Sequence, residues 1–105
     1  MNSHSCAESE PFALRVLGDS MSPEFEDGCV VIIDPSMQAK DGCYVLANKA
    51  SETIFRQVFI RDDRFVLKAI KAGYADINIS GHAEIHGVII QKSAKRRKDT
   101  KKYTC

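Results

Sequence analysis

Between Phe12 and Ile90 the chain is a succession of short apolar runs cut by turn signals, and that punctuation restricts the fold more than any other feature. Phe12-Ala13-Leu14-Arg15-Val16 alternates, with Phe12, Leu14 and Val16 on one face of a half-buried strand. Cys29-Val30-Val31-Ile32-Ile33 is a continuous apolar run bounded by Asp34-Pro35. Cys43–Ala47, Thr53–Ile60, Arg64–Ala69 and Glu84–Ile90 repeat the theme, with turns predicted at Glu26-Asp27-Gly28, across Asn48–Glu52 and at Asp62-Asp63. Turn signals recurring roughly every 8–12 residues predict a mainly β, barrel-like domain with few or no helices. Ser22-Pro23 offers the start of one helical turn. No stretch has the length and period of a major helix.

At 105 residues, 44% of them hydrophobic and 28% charged, the chain reads as one globular domain. The expected organisation is a loose polar leader over 1–11, a domain over 12–91 and a disordered basic tail over 92–105. The net charge of +1 conceals that tail, where Lys92, Lys95, Arg96, Arg97, Lys98, Lys101 and Lys102 face only Asp99. So dense a charge block resists packing. It offers non-specific nucleic-acid contact through Lys92–Lys102, driven by counterion release.

No apolar run approaches the roughly 20 residues of a membrane span. Met1–Cys6 has neither a basic n-region nor an apolar h-region, so a cytoplasmic location without membrane contact is expected. The four cysteines, Cys6, Cys29, Cys43 and Cys105, form no C-x-x-C pair and are expected as reduced thiols. A Cys29–Cys43 bridge stays open at this stage. His82 and His86 straddle a turn and a strand, and His4 lies in the leader, so no metal or other cofactor is implied.

Chemistry concentrates in Val16-Leu17-Gly18-Asp19-Ser20-Met21-Ser22-Pro23. A glycine-led turn after a strand holds Ser20 at the strand end, with the backbone of Gly18, Asp19 and Met21 placed to face a reacting carbonyl. A serine hydroxyl is a poor nucleophile at neutral pH and needs a partner to take its proton.

The string from Phe12 to Pro35 resembles the LexA/UmuD family of serine peptidases, which includes the self-cleaving domains of SOS-response and phage repressors. Gly18, Ser20, Met21 and Pro23 match its turn, while Cys29 stands where the family usually has aspartate. The likeness continues through Lys40–Leu46 and Thr53–Val58 and closes at Ile85–Ile90. It implies a LexA/signal-peptidase-like β fold, Ser20 as nucleophile and a homodimer. It also implies a lysine base, at a position that counting from Gly42 places on Arg56.

Arginine stays protonated and has no acceptor to offer, so it is a defective base. Asp19 is the expected partner for its charge, and Lys68 the least remote substitute base, ahead of Lys49 and Lys71. The family cuts itself at Ala-Gly or Cys-Gly, and no such pair precedes Ser20; Ala72-Gly73 follows the Arg56 strand. Two functions are therefore expected in competition. One is a serine peptidase-like domain with weak or absent hydrolysis. The other is a non-catalytic dimerisation or peptide-binding module of a repressor or SOS-response system, whose Ser20–Arg56 cleft holds a peptide or an anionic group.

Overall fold

The computed structural model describes residues 10–93, 100–103 and 105. The apolar runs become strands β1 (Phe12–Arg15), β2 (Val30–Asp34), β3 (Tyr44–Lys49), β4 (Glu52–Arg61) and β5 (Arg64–Lys68). Then come β6 (Ile77–Ile79), a single 3-10 turn at His82–Glu84, β7 (Ile85–Ser93) and β8 (Lys101–Lys102). All pairings are antiparallel, in the order β1-β2-β7-β3-β4-β5-β6, with β8 on β7. The mainly β architecture expected from the turn spacing is borne out. The helical turn expected at Ser22-Pro23 is one turn only, closed by the Phe25 amide on the Met21 carbonyl at 2.8 Å; the Ser22-Pro23 peptide is cis.

Two tight hairpins set the register. Ala50 and Ser51 link β3 to β4 with φ of 52° and 69°, and Asp62 and Asp63 link β4 to β5 with φ of 50° and 67°. Two consecutive left-handed residues match the twist of the flanking strands, and aspartate tolerates that region well. The pairs Lys49↔Glu52 and Arg61↔Arg64 close the two turns.

β7 enters between β2 and β3, so its apolar run is central. Val88 and Ile89 are fully buried. Both faces of the sheet centre are covered at β7, which is why it reads as a continuous apolar run, whereas β2 buries only Val31 and Ile33 fully. Along β3 the pleat sends Val45 and Ala47 into one cluster, with Val58, Leu67 and Val88, and Leu46 into another, with Phe25, Met21, Ile33 and Ile89. Gly87 is required by closeness: a Cβ there would sit 2.5 Å from Ile33 Cγ2.

The chain end departs from the loose tail expected over 92–105. β7 runs through Ser93, Lys101 and Lys102 pair with Lys92 and Gln91, and the Tyr103 amide donates to the Ile90 carbonyl at 2.9 Å. Tyr103 also packs against Phe25 and Tyr44, with ring centroids 5.4 and 5.5 Å away. Apolar stacking and strand pairing outweigh the repulsion that composition suggests. Lys95–Lys98, the middle of the basic block, lie outside the described residues, as does the leader apart from Glu10 and Pro11.

Cys43 is bonded to Cys105, with Cα atoms 5.5 Å apart, which corrects the expectation of reduced thiols and leaves Cys29 unbridged to Cys43. The partners are 62 residues apart in sequence. Only the return of the chain end to the first cluster brings them together. Burial pushes the Cys29 thiol up from its ordinary value. Cys6 lies outside the described residues.

Glu24 ties the chain end to the turn after Ser20. Its carboxylate accepts from Lys101 Nζ at 2.8 Å and from the Tyr103 hydroxyl at 2.6 Å, and its carbonyl accepts from Lys92 Nζ at 2.6 Å. The Lys101 bond, followed by that from Tyr103, holds the Glu24 carboxyl below the usual carboxylate range.

Two predictions follow from this packing. Phe25 is wholly buried, so Phe25→Ala is expected to cost about 3–5 kcal/mol in urea unfolding, against under about 0.5 kcal/mol for Leu17→Ala at an exposed site. Equal costs would contradict the assigned core. A carboxyl with a lowered folded-state pKa stabilises above its unfolded value, and the gain is lost as pH falls through the folded value. Glu24→Gln should therefore cost about 0.5–1 kcal/mol at neutral pH, with the gap closing as pH falls through the lowered folded value. A pH-independent gap would show that the Glu24 charge plays no part.

Candidate functional site

The site begins where β1 ends. The Val16 amide donates to the Cys29 carbonyl and the Gly28 amide to the Val16 carbonyl, each at 2.7 Å, so the ladder with β2 runs to the edge of the turn. Gly18 then takes φ of 92°, a region costly for other residues, and its amide donates to Asp27 Oδ1 at 2.8 Å. Met21 is buried against Phe25 and pins the far side of the turn. The Ser22 amide closes it on the Asp19 carbonyl at 3.0 Å.

A second segment grips the turn from the other side. The Ser20 carbonyl accepts from the amides of both Ile70 and Lys71, each at 3.0 Å. The Asp19 carboxylate is held by Lys71 Nζ and by the Tyr74 hydroxyl, the latter at 2.7 Å. The Lys71 hydrogen bond, then that from Tyr74, lowers the Asp19 carboxyl below its ordinary value; the same bonds raise the Lys71 ammonium and the Tyr74 phenol.

Asp19 is therefore not the partner of Arg56, contrary to the sequence expectation. The turn faces its side chain toward 70–74, where a lysine and a phenol already satisfy it. Lys71, not Lys68, is the lysine brought to this turn, and its raised pKa keeps it protonated. Lys68 pairs with Asp76 at 3.4 Å, and Lys49 donates to the Asn78 carbonyl at 2.7 Å. No hydrogen bond joins any of the three to Ser20 Oγ among the described residues.

Ser20 and Arg56 do meet. Arg56 Nη1 donates to Ser20 Oγ at 3.0 Å and to the carbonyl of Phe55 at 2.8 Å, and the guanidinium lies 5.5 Å from the Tyr74 ring centroid. Its Nε is buried without a hydrogen-bond partner among the described residues. The polarity of the Ser20 bond decides its chemistry: the guanidinium is the donor and Oγ the acceptor. A donor stabilises negative charge on Oγ but cannot receive the hydroxyl proton.

Around this pair opens a cleft of about 500 Å³, lined by Leu14–Leu17, Ser20, Leu46 and Glu52–Arg56. β4 is paired with β3 along this stretch, whereas β5 joins it only from Gln57 onward. One edge of Glu52–Arg56 thus has no strand partner among the described residues, and β1 lies at the end of the sheet. The histidines belong elsewhere: His86 contacts Asn48 at 3.2 Å, and His82 stands edge-on to Phe65. Ile70–Tyr74 carried no sequence signal for this site. It lies between β5 and β6, and its role arises only when the chain folds back on the Ser20 turn.

Comparison with known proteins places this geometry in a family. The chain is 34% identical over 87 residues, or 76% of its length, to the HTH-type transcriptional regulator for conjugative element SXT of Vibrio cholerae. It has the same identity over the same span to the regulator for conjugative element pMERPH of Shewanella putrefaciens. It is 32% identical over 90 residues, or 82% of its length, to the prophage repressor CohE of Escherichia coli. The matched region spans 40% of the length of each of these relatives. No helix among the described residues is long and apolar enough to cross a membrane. Residues 1–90 match the family described as Peptidase S24-like, and the chain belongs to it.

Proposed function

We propose that this chain is the peptidase-like domain of a repressor-type regulator, impaired in hydrolysis and retaining its cleft as a peptide-binding site. The observation that carries the reading is the 3.0 Å hydrogen bond from Arg56 Nη1 to Ser20 Oγ. Acyl transfer by serine needs an acceptor for the hydroxyl proton as the new bond forms. A guanidinium in that place is already fully protonated and remains so in proteins. Lys71, the lysine fastened to the turn, is kept charged by Asp19. Neither cation is a base.

Peptide binding survives the loss of the base because it uses other parts. The unpaired edge of Glu52–Arg56 offers backbone donors and acceptors to an extended strand, and Leu14, Val16 and Leu46 give the cleft apolar walls. The names of the relatives, a prophage repressor and regulators of conjugative elements, support a regulatory setting for such a site.

A fluorophosphonate probe, which reports an activated serine, tests the chemistry. Wild-type protein is expected to label slowly at pH 8, and Arg56→Lys about a hundredfold faster, the scale of general-base assistance. The rate for Arg56→Lys should rise with pH as the new amine loses its proton, while wild type shows no such inflection. Ser20→Ala should remain unlabelled. Wild type labelling as fast as Arg56→Lys, read by intact-protein mass, would defeat the reading.

A further inference from the structure

Arg56 has more charge and more donors than its neighbours use. Among the described residues its hydrogen bonds all leave from Nη1, to a neutral hydroxyl and a neutral carbonyl, and its Nε is buried without a partner. None of the ion pairs among the described residues includes it. The nearest acidic residue in sequence to the serine, Asp19, is neutralised by Lys71 and Tyr74. Glu52, the carboxylate lining the cleft, lies four residues back along β4, about 13 Å away at strand rise. Arg15 also lines the cleft, with its guanidinium donating to the Gly28 carbonyl at 3.1 Å. A half-buried cation without an anion is unfavourable, and a planar guanidinium is best satisfied by a carboxylate.

We propose that the Ser20–Arg56 cleft selects peptides bearing a carboxylate, which pairs with Arg56 as the peptide lies along Glu52–Arg56. This rests on the peptide-binding reading above and adds the chemistry of the preferred ligand. Ser20 then serves as a hydrogen-bonding neighbour of the anchor: its hydroxyl accepts from Nη1 and has its own proton to donate to a carboxylate oxygen. Tyr74 covers the guanidinium from one side and limits its contact with water.

Three short peptides test the inference by fluorescence anisotropy on the full chain. The first is labelled Val-Ala-Glu-Val-Ala with both ends blocked, the second its glutamine counterpart, and the third that glutamine peptide with a free C-terminal carboxylate. Either carboxylate peptide, or both, should bind about tenfold tighter than the blocked glutamine peptide, and which one does so identifies a side chain or a chain end as the source. Arg56→Gln should erase the preference, read as the ratio of carboxylate-peptide to blocked-glutamine-peptide affinity on that same variant. Arg56→Lys, which keeps the charge but loses the fork, should retain a preference of only about threefold.

Equal binding of all three peptides would overturn the carboxylate inference and leave peptide binding intact. A preference that persists undiminished in both Arg56 variants would overturn it as well. If none of the three binds, the peptide-binding reading falls and takes this inference with it.

Discussion

The insertion of β7 between β2 and β3 is the pairing on which the rest of the molecule depends. It joins the N-terminal ribbon β1–β2 to the meander β3–β6, so that one sheet forms instead of two separate ribbons. It also gives the sheet a centre buried on both faces, with Val88 in one cluster and Ile89 in the other. Close approach there demands a residue without a side chain, and Gly87 lies against Ile33 accordingly. Two supports of the Ser20 turn lean on this pairing, because β2 holds β1 and β7 carries the chain end back toward Glu24.

The turn itself is held by a division of polar labour. Asp19 is committed to Lys71 and Tyr74, the Ser20 carbonyl to two amides, Glu24 to Lys101 and Tyr103, and Gly18 to Asp27. The Ser20 hydroxyl takes no part in holding the turn; it is presented across the cleft to β4, where Arg56 Nη1 donates to it. Such a turn keeps its shape whatever residue stands opposite. Fold and hydrolysis are separable here for that physical reason: the forces that place Oγ do not involve its proton acceptor.

Local pattern and non-local contact divide what could be read in advance. β1 to β5 and β7 were legible because their apolar runs are bounded by turn residues, and the Asp62-Asp63 hairpin because aspartate tolerates positive φ. The meeting of Ser20 with Arg56 was legible only through the family resemblance, since the two are 36 residues apart. β6 is three residues long, and β8 only two within a run of charge. Neither carries a periodicity that reveals it. The Asp19–Lys71–Tyr74 contacts and the Cys43–Cys105 bond link positions whose proximity is created by the sheet order, which no spacing in the chain encodes. Asp19 adjoins Ser20 in sequence, yet its carboxylate turns away from Arg56 to Lys71 and Tyr74.

Arginine at this strand position fits the scaffold, and on the proposed reading it is what removes the proton acceptor. Its side chain spans from β4 to Oγ while bonding back to its own strand at the Phe55 carbonyl, so it is braced at two points and packed beneath Tyr74. A lysine there would have one compact nitrogen and would rely on burial to lower its pKa before it could accept a proton. The guanidinium resists that depression, because its charge is delocalised and its intrinsic pKa lies far above neutrality. The same resistance keeps a permanent positive charge in a cleft with an open strand edge. On the proposed reading, one side chain turns a place suited to moving a proton into one that holds a charge, and the ligand it favours changes with it.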